Sequence, residues 1–130
     1  MLTHITPFRE LLAECKSIDE FMNVTMSEDP NEAVERGNTL ITYIARTGKM
    51  LADAKYHKNA KMEDETIKII EELLDKKYSA GIQNALIKSV AKEEQYLVDW
   101  CDRLNATATH QTEWCRTVIS KAKAELNARI

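Results

Sequence analysis

Proline occurs at only two places in this chain, and both lie within its first thirty residues. The first, Pro7, follows Thr6, and the second, Pro30, follows Asp29. Threonine and aspartate can cap a helix, and proline is well tolerated at the first helical position. After Pro30 the next helix-breaking signal is the stretch 78–81. The chain is therefore predicted to contain a short first helix followed by very long ones.

Apolar residues recur at helical spacing in three segments, which cover residues 8–22, 30–76 and 79–129. At about 1.5 Å per residue, each of the two long segments could reach about 70 Å. Their matched lengths predict the two arms of an antiparallel hairpin. With the turn centred near Tyr78, Lys55 should lie level with Trp100 and Cys101.

The fold class that follows is all-α: a single domain, 1–130, built as a long, coiled-coil-like antiparallel hairpin with a short N-terminal helix. Trp100-Cys101 returns two heptads later as Trp114-Cys115, which is typical of coiled-coil packing. The alternative is a compact helical bundle, in which the arms break near Lys58 and Thr107. The polar stretch 55–61, which interrupts the apolar stripe of the second segment, keeps that alternative open.

Composition excludes several classes of protein. The chain has 130 residues, which is too short for a two-domain enzyme, and three glycines cannot supply a glycine-rich phosphate loop. A net charge of −3 argues against a nucleic-acid coat protein or a polybasic membrane protein. No apolar stretch approaches the ~20 residues of a membrane span, so a cytoplasmic protein that does not bind membranes is expected.

Catalysis and metal binding have little support in the sequence. Three cysteines without CxxC spacing are best explained as small buried apolar residues in a reducing compartment. Asp53 and His57 share a helix face, as do His110 and Glu113, but the Glu-x-x-His pairs of a di-iron bundle do not occur. We therefore expect a protein that is not an enzyme and that carries no metal or other cofactor.

One flank of the third segment is the main candidate for binding a partner protein. Tyrosine, tryptophan and arginine are enriched at the centres of protein interfaces. Here the candidate residues are Tyr96, Arg103 and Trp114, which lie together on the flank, and Arg116, which forms an exposed pair with Trp114. The alternative is that this flank packs against the first helix, whose apolar residues must be buried somewhere.

Charge is distributed unevenly along the chain. Residues 1–35 hold eight acidic and two basic residues, whereas residues 36–61 hold one acidic and six basic. The basic window suggests an alternative function, the binding of nucleic acid or a nucleotide through cationic and aromatic side chains. The residues that would do so are Arg46, Lys49, Lys55, Tyr56, Lys58 and Lys61. A simpler interpretation is a solvated face that the acidic first helix neutralises within the fold.

Two further features bear on assembly. Lys55, Asn59 and Glu93 fall on otherwise apolar faces, which predicts either a polar layer that fixes the register or a small polar pocket for a ligand. The small residues Gly37, Gly48 and Ala52 would let another helix approach closely, so self-association into a homo-oligomer is expected.

Three stretches, 45–57, 96–105 and 115–123, resemble small helical proteins encoded by phages and prophages, especially of Bacteroidota. The resemblance covers roughly the last two thirds of the chain and carries over no catalytic residue. It implies a phage accessory protein that works in the host cytoplasm. The expected function is to bind a host or phage protein, for example as a counter-defence inhibitor of a nuclease or of a nucleoprotein that contains nucleic acid.

Overall fold

The computed structural model describes residues 4–73 and 79–129, and within these ranges it contains four α-helices. They are α1 (Phe8–Met22), α2 (Pro30–Leu73), α3 (Ala80–Ser89) and α4 (Lys92–Ala128). The long helices α2 and α4 pack antiparallel, and α1 lies against both. The predicted all-α hairpin with a short N-terminal helix is therefore confirmed, while Tyr78, the expected centre of its turn, lies outside the described residues.

The predicted start of α2 is confirmed. Asp29 caps the helix through its side chain, which accepts the backbone N–H of Glu32 at 3.2 Å. The helix then continues through residues 55–61 to Leu73, so the break that the polar stretch suggested does not occur. Four of the seven residues of this stretch are lysine or alanine, which are good helix formers, and a polar stretch changes what a helix packs against without ending it.

The start of α1 differs from the prediction. Pro7 is the N-terminal cap, with φ −57° and ψ 149°, and its carbonyl accepts the N–H of Leu11 at 3.0 Å. Thr6 does not cap the helix, because its backbone and hydroxyl bond to α2 instead.

The second arm of the hairpin is divided, and the division does not lie near Thr107. α3 ends at Ser89, Val90 and Ala91 form a turn, and α4 begins at Lys92. Ala91 is buried, so this corner packs against the rest of the protein.

The register of the hairpin also differs from the prediction. The side-chain amide of Asn105 donates to the carbonyl of Ile44 at 2.9 Å and to the hydroxyl of Thr47 at 3.0 Å. This pairing differs by about one to two helical turns from the predicted register, in which Lys55 lies level with Cys101. The predicted register was therefore wrong.

A single apolar core lies between α1, α2 and α4. Leu11 and Cys15 enter it from α1, at the four-residue spacing that places side chains on one helix face. Its largest fully buried side chains are Leu11, Leu40, Met50, Leu97, Thr47, Cys15 and Cys101. Within the described ranges, no helix combines the length and the apolar character that crossing a bilayer requires.

Candidate functional site

An aromatic groove lies where the start of α4 meets α1. Tyr96 is 64% exposed, and its ring meets the ring of Trp100 edge-on, with 5.9 Å between centroids. Phe8 and Leu12, both half-buried, line the groove from α1. Its volume is about 370 Å³, and the charged side chains of Lys92 and Glu93 stand at its edge. We call this the Tyr96 groove.

Trp114 lies in a second, smaller groove further along α4. It is 44% exposed, and the groove of about 250 Å³ also includes Pro30 and Val118. Tyr96 and Trp114 are 18 residues apart, which corresponds to about 27 Å along the helix. Arg103 is exposed between them. Arg103 follows Tyr96 by seven residues and Trp114 follows Arg103 by eleven. At these spacings all three side chains lie on one flank of α4.

The position of α1 decides how much of this flank is covered. Trp100 packs against the core together with Phe8 and Leu12, whereas Tyr96 and Trp114 keep large exposed surfaces. The alternative, in which α1 covers the flank, is therefore wrong for the exposed surfaces of Tyr96 and Trp114. Arg116 is exposed but lies about 200° around the helix from Trp114, so it belongs to a different surface.

Much of the basic window is neutralised within the protein. The guanidinium of Arg46 binds Glu14 of α1 through two hydrogen bonds, of 2.7 and 2.6 Å, and these raise the pKa of Arg46. Lys49 donates to the Asp53 carboxylate and, at 3.0 Å, to the carbonyl of His4. The predicted neutralisation by the acidic first helix is thus confirmed at Arg46.

The remaining cations of the window do not form one stripe. Lys61 pairs with Glu65 on the same helix at 3.3 Å. Lys55, Tyr56 and Lys58 are spread over about 160° of the circumference of α2, since successive helical residues are rotated by about 100°. Tyr56 is exposed and meets the His57 ring edge-on.

Sequence reasoning missed a buried polar cluster that holds the segment before α1. Asp53 is 3% exposed and accepts the backbone N–H of Thr6 at 3.1 Å. His57 donates from Nε2 to the Thr6 carbonyl at 2.7 Å, and Arg46 donates to the Thr6 hydroxyl at 3.1 Å. We call these contacts, together with those of Lys49, the N-terminal clamp.

The clamp explains why an acid and a histidine share one face of α2. Burial by itself would raise the pKa of Asp53, but the hydrogen bonds from Lys49 and from the Thr6 N–H outweigh burial, and the pKa is lowered. The i, i+4 spacing of residues 49, 53 and 57 was a signal that this face is polar. The spacing did not reveal that this polar face binds the backbone of residue 6.

The predicted polar layer of Lys55, Asn59 and Glu93 is wrong, because all three side chains are exposed. Other polar residues bridge the helices. Gln111 accepts from the guanidinium of Arg36 at 2.8 Å and donates to the carbonyl of Met22 at 3.0 Å.

The three cysteines are free and buried, as predicted. The sulfur atoms of Cys15 and Cys101 lie 3.6 Å apart and share a hydrogen bond, which together with burial raises the pKa of Cys15. Burial also raises the pKa of Cys115. In the part of the chain that the structure describes, no three or more His, Cys, Asp or Glu side chains are grouped so that they could hold a metal ion.

Comparison with known proteins gives no further guide to function. The resemblance to phage and prophage proteins therefore stays a prediction from three segments of the sequence. No protein-family model, curated protein or solved structure matches the chain.

Proposed function

We propose that this protein is a non-enzymatic interaction protein that binds another protein along the flank of α4, with the Tyr96 groove at the centre of the contact. The observation that carries the proposal is the exposure of Tyr96 beside the apolar side chains of Phe8 and Leu12. A tyrosine contributes a large, rigid contact area at a small cost in conformational entropy, and such residues dominate binding energy at protein interfaces.

The shape of the flank restricts the partner. A bulky apolar side chain fits the Tyr96 groove, where Lys92 and Glu93 could pair with charges on either side of it. Trp114 offers a second anchor about 27 Å away on the same flank. A partner that uses both anchors would present a helix of about 18 residues, or a surface of similar length.

The biological setting is proposed from the resemblance described above. In that setting a phage or prophage encodes the protein, and the protein acts in the host cytoplasm on a host or phage protein. A defence nuclease or a nucleoprotein is the kind of target that such an accessory protein would inhibit.

Direct binding of nucleic acid is the alternative that the experiment must separate. Arg46 is already engaged by Glu14 and by the N-terminal clamp, and Lys49 by the clamp alone. A phosphate-binding surface would therefore depend on Lys55, Tyr56 and Lys58.

The test is affinity capture from infected host cells, followed by measurement of the dissociation constant with the captured protein. Tyr96→Ala should weaken binding about 30-fold, which corresponds to a loss of about 2 kcal/mol. Tyr56→Ala is the matched control, because it removes another exposed tyrosine from a long helix, and it should leave the affinity unchanged.

The dependence of binding on salt distinguishes the two functions. An interface dominated by apolar contacts weakens little as salt rises, whereas phosphate contacts weaken steeply because counterions are released on binding. Steep salt dependence, combined with a loss of affinity in Tyr56→Ala but not in Tyr96→Ala, would replace the proposed function with nucleic-acid binding.

A further inference from the structure

Two thiols meet in the core where α1 packs against α4. Cys15 and Cys101 are fully buried, and their sulfur atoms lie 3.6 Å apart. A disulfide holds two sulfur atoms about 2.0 Å apart, so each sulfur needs to move by less than about 1 Å to reach that distance. A small shift of α1, with rotation about the two Cα–Cβ bonds, can supply this movement. The two side chains are therefore within reach of a covalent bond between the helices.

The surroundings of the pair favour a negative charge on one of the two sulfur atoms. The hydrogen bond from Cys15 lowers the pKa of Cys101, burial opposes this effect, and the guanidinium of Arg46 adds to it, so that the pKa is lowered overall. The same hydrogen bond, together with burial, raises the pKa of Cys15. The thiolate is the form of cysteine that reacts with oxidants. Cys101 is therefore the more reactive sulfur, with the Cys15 thiol directly beside it.

The third cysteine provides an internal control. Cys115 lies 14 residues beyond Cys101 on α4, which corresponds to about 21 Å along the helix. It faces α2, since a methyl group at Gly37 would lie 3.7 Å from the Cβ atom of Cys115. A link between Cys115 and either of the other cysteines would therefore need a large rearrangement of the fold.

We propose that Cys15 and Cys101 form a redox-modification site, at which hydrogen peroxide converts the two thiols into a disulfide that fixes α1 to α4. The Cys101 thiolate attacks one oxygen of the peroxide, the O–O bond breaks, and the leaving hydroxide takes up the proton that Cys101 lost. Cys15 then attacks the sulfenic sulfur of Cys101, so that the S–S bond forms, the S–O bond breaks, and the hydroxyl leaves as water with the Cys15 proton. Two thiols and one peroxide thus give one disulfide and two water molecules.

Peroxide reaches the buried pair when α1 is released from the core. This helix has 15 residues, whereas α2 and α4 have 44 and 37, so it buries less surface than the long pair. Local opening of such an element costs less free energy than unfolding of the whole protein. When α1 returns, Cys15 lies beside the oxidised Cys101 again and the bond closes. The reaction is therefore slow in the native protein, and the bond prevents further release of α1.

The first test is treatment of the reduced full chain with hydrogen peroxide under native conditions. Trypsin digestion without reductant should yield peptide 10–16 joined to peptide 93–103, with a mass that is lower than their sum by two hydrogen atoms. Dithiothreitol should separate the two peptides. Thiols that stay reduced, links to Cys115, links between two chains, or oxidation of Cys101 without a link to Cys15 would each overturn the proposal.

The second test measures the effect of the bond on stability. A link between residues 15 and 101 restricts the unfolded chain over most of its length, so oxidation should raise the melting temperature by about 5 °C or more. Dithiothreitol should reverse the rise. Cys115→Ala should show the same rise as the wild type, whereas Cys15→Ala and Cys101→Ala should show none. The comparison of oxidised and reduced wild type needs no variant, so it decides the question where a substitution prevents folding. No rise in the wild type, or an equal rise in either variant of the pair, overturns the proposal.

Trapping of the intermediate tests which sulfur reacts first. In Cys15→Ala the sulfenic acid on Cys101 has no thiol beside it, so it should accumulate and react with dimedone. In Cys101→Ala the remaining Cys15 should be trapped about tenfold less under the same conditions, because its thiolate is disfavoured. Equal trapping in the two variants contradicts the assigned order of the steps.

Asp53→Asn tests the release of α1. The substitution weakens the N-terminal clamp, which holds the start of this helix, and it lies outside the thiol pair. Disulfide formation should therefore become about threefold faster or more. Asp64→Asn, at an exposed position of α2, should leave the rate unchanged. A wild-type rate in Asp53→Asn contradicts entry of peroxide through the opening of α1.

The disulfide does not depend on the proposed function, because it can be formed and measured with no partner present. Tyr96→Ala should still form the disulfide. A wild type that does not form it would leave the binding of a partner by the reduced protein unaffected, so the two proposals fail separately.

Discussion

The buried carboxylate of Asp53 accepts a hydrogen bond from the backbone N–H of Thr6, 47 residues earlier in the chain. The other carboxylate oxygen is bound by Lys49, so both oxygens have partners although the residue is almost fully buried. This contact fixes the start of α1 against the middle of α2, and through α1 it sets one wall of the Tyr96 groove.

Asp53→Asn should destabilise the fold by about 1–2 kcal/mol at pH 7, because the amide keeps the contact with Thr6 but loses the ion pair with Lys49. The pKa of Asp53 is lowered in the folded protein. Its contribution is therefore fully present above about pH 4 and is lost as the pH falls through the folded pKa. Urea unfolding at pH 7 and pH 3 should show the difference between wild type and variant shrinking at the lower pH. Asp64→Asn, at an exposed position of α2, serves as control, and a difference that is the same at both pH values would contradict this account.

Arg46→Lys should cost about 0.5–1 kcal/mol. Lysine keeps the charge but cannot bind both oxygens of Glu14, and the pair is partly exposed, so water already screens much of its attraction. Thermal unfolding at low ionic strength measures the effect, and added salt should reduce it. Arg103→Lys, on the exposed flank of α4, should leave the melting temperature unchanged.

Asn105→Ala should cost about 1–2 kcal/mol. Its amide crosses from α4 to α2 and is the donor for the carbonyl of Ile44 and the hydroxyl of Thr47. Chemical denaturation should show this loss, while Thr109→Ala, one turn further along α4 at an exposed position, should change stability by less than about 0.5 kcal/mol. Equal effects of the two substitutions would mean that Asn105 does not hold the helices together.

The two tryptophans should differ in what they contribute to stability. Trp100 packs against the core, so Trp100→Ala should lower the free energy of unfolding by about 2–3 kcal/mol. Trp114 is 44% exposed, and Trp114→Ala should lower the free energy of unfolding by about 1 kcal/mol or less. A large loss of stability in Trp114→Ala would place that residue in the fold and remove it from the proposed interface.

The cysteines should be unreactive towards thiol reagents in the native protein. All three are buried, so a thiol reagent should not reach them at neutral pH until the chain is unfolded, although the hydrogen bond with Cys15 lowers the pKa of Cys101. The raised pKa values of Cys15 and Cys115 act in the same direction as burial. In denaturant all three should react. Rapid labelling of even one cysteine without denaturant would contradict the observed packing.

Local chemistry explains how much of this fold could be predicted. The cap at Asp29 and the long run without proline after Pro30 act within a few residues, and the sequence displays them directly. The turn at Val90 and Ala91 contains neither glycine nor proline, so no local sequence signal predicts it. The register of α4 against α2, which depends on contacts between distant residues, was misplaced by about one to two turns.

In the candidate site, too, the features that depend on local sequence could be predicted and those that depend on long-range contacts could not. The flank with Tyr96, Arg103 and Trp114 follows from helical periodicity, and the structure leaves all three exposed. The use of Arg46 and Lys49 to hold residues 4–6 could not be predicted, because it depends on contacts between positions that lie forty or more residues apart.

The place of α1 in the core also has a consequence for the synthesis of the chain. Leu11, Cys15 and Ile18 are made first, yet Cys15 meets Cys101, which follows 86 residues later. At roughly 5–20 residues per second, the ribosome takes about 4–17 s to supply that partner. Throughout this interval the apolar side of α1 lacks the surface of α4 that it packs against in the finished protein. The packing of α1 into the core is therefore completed only after most of α4 has been translated.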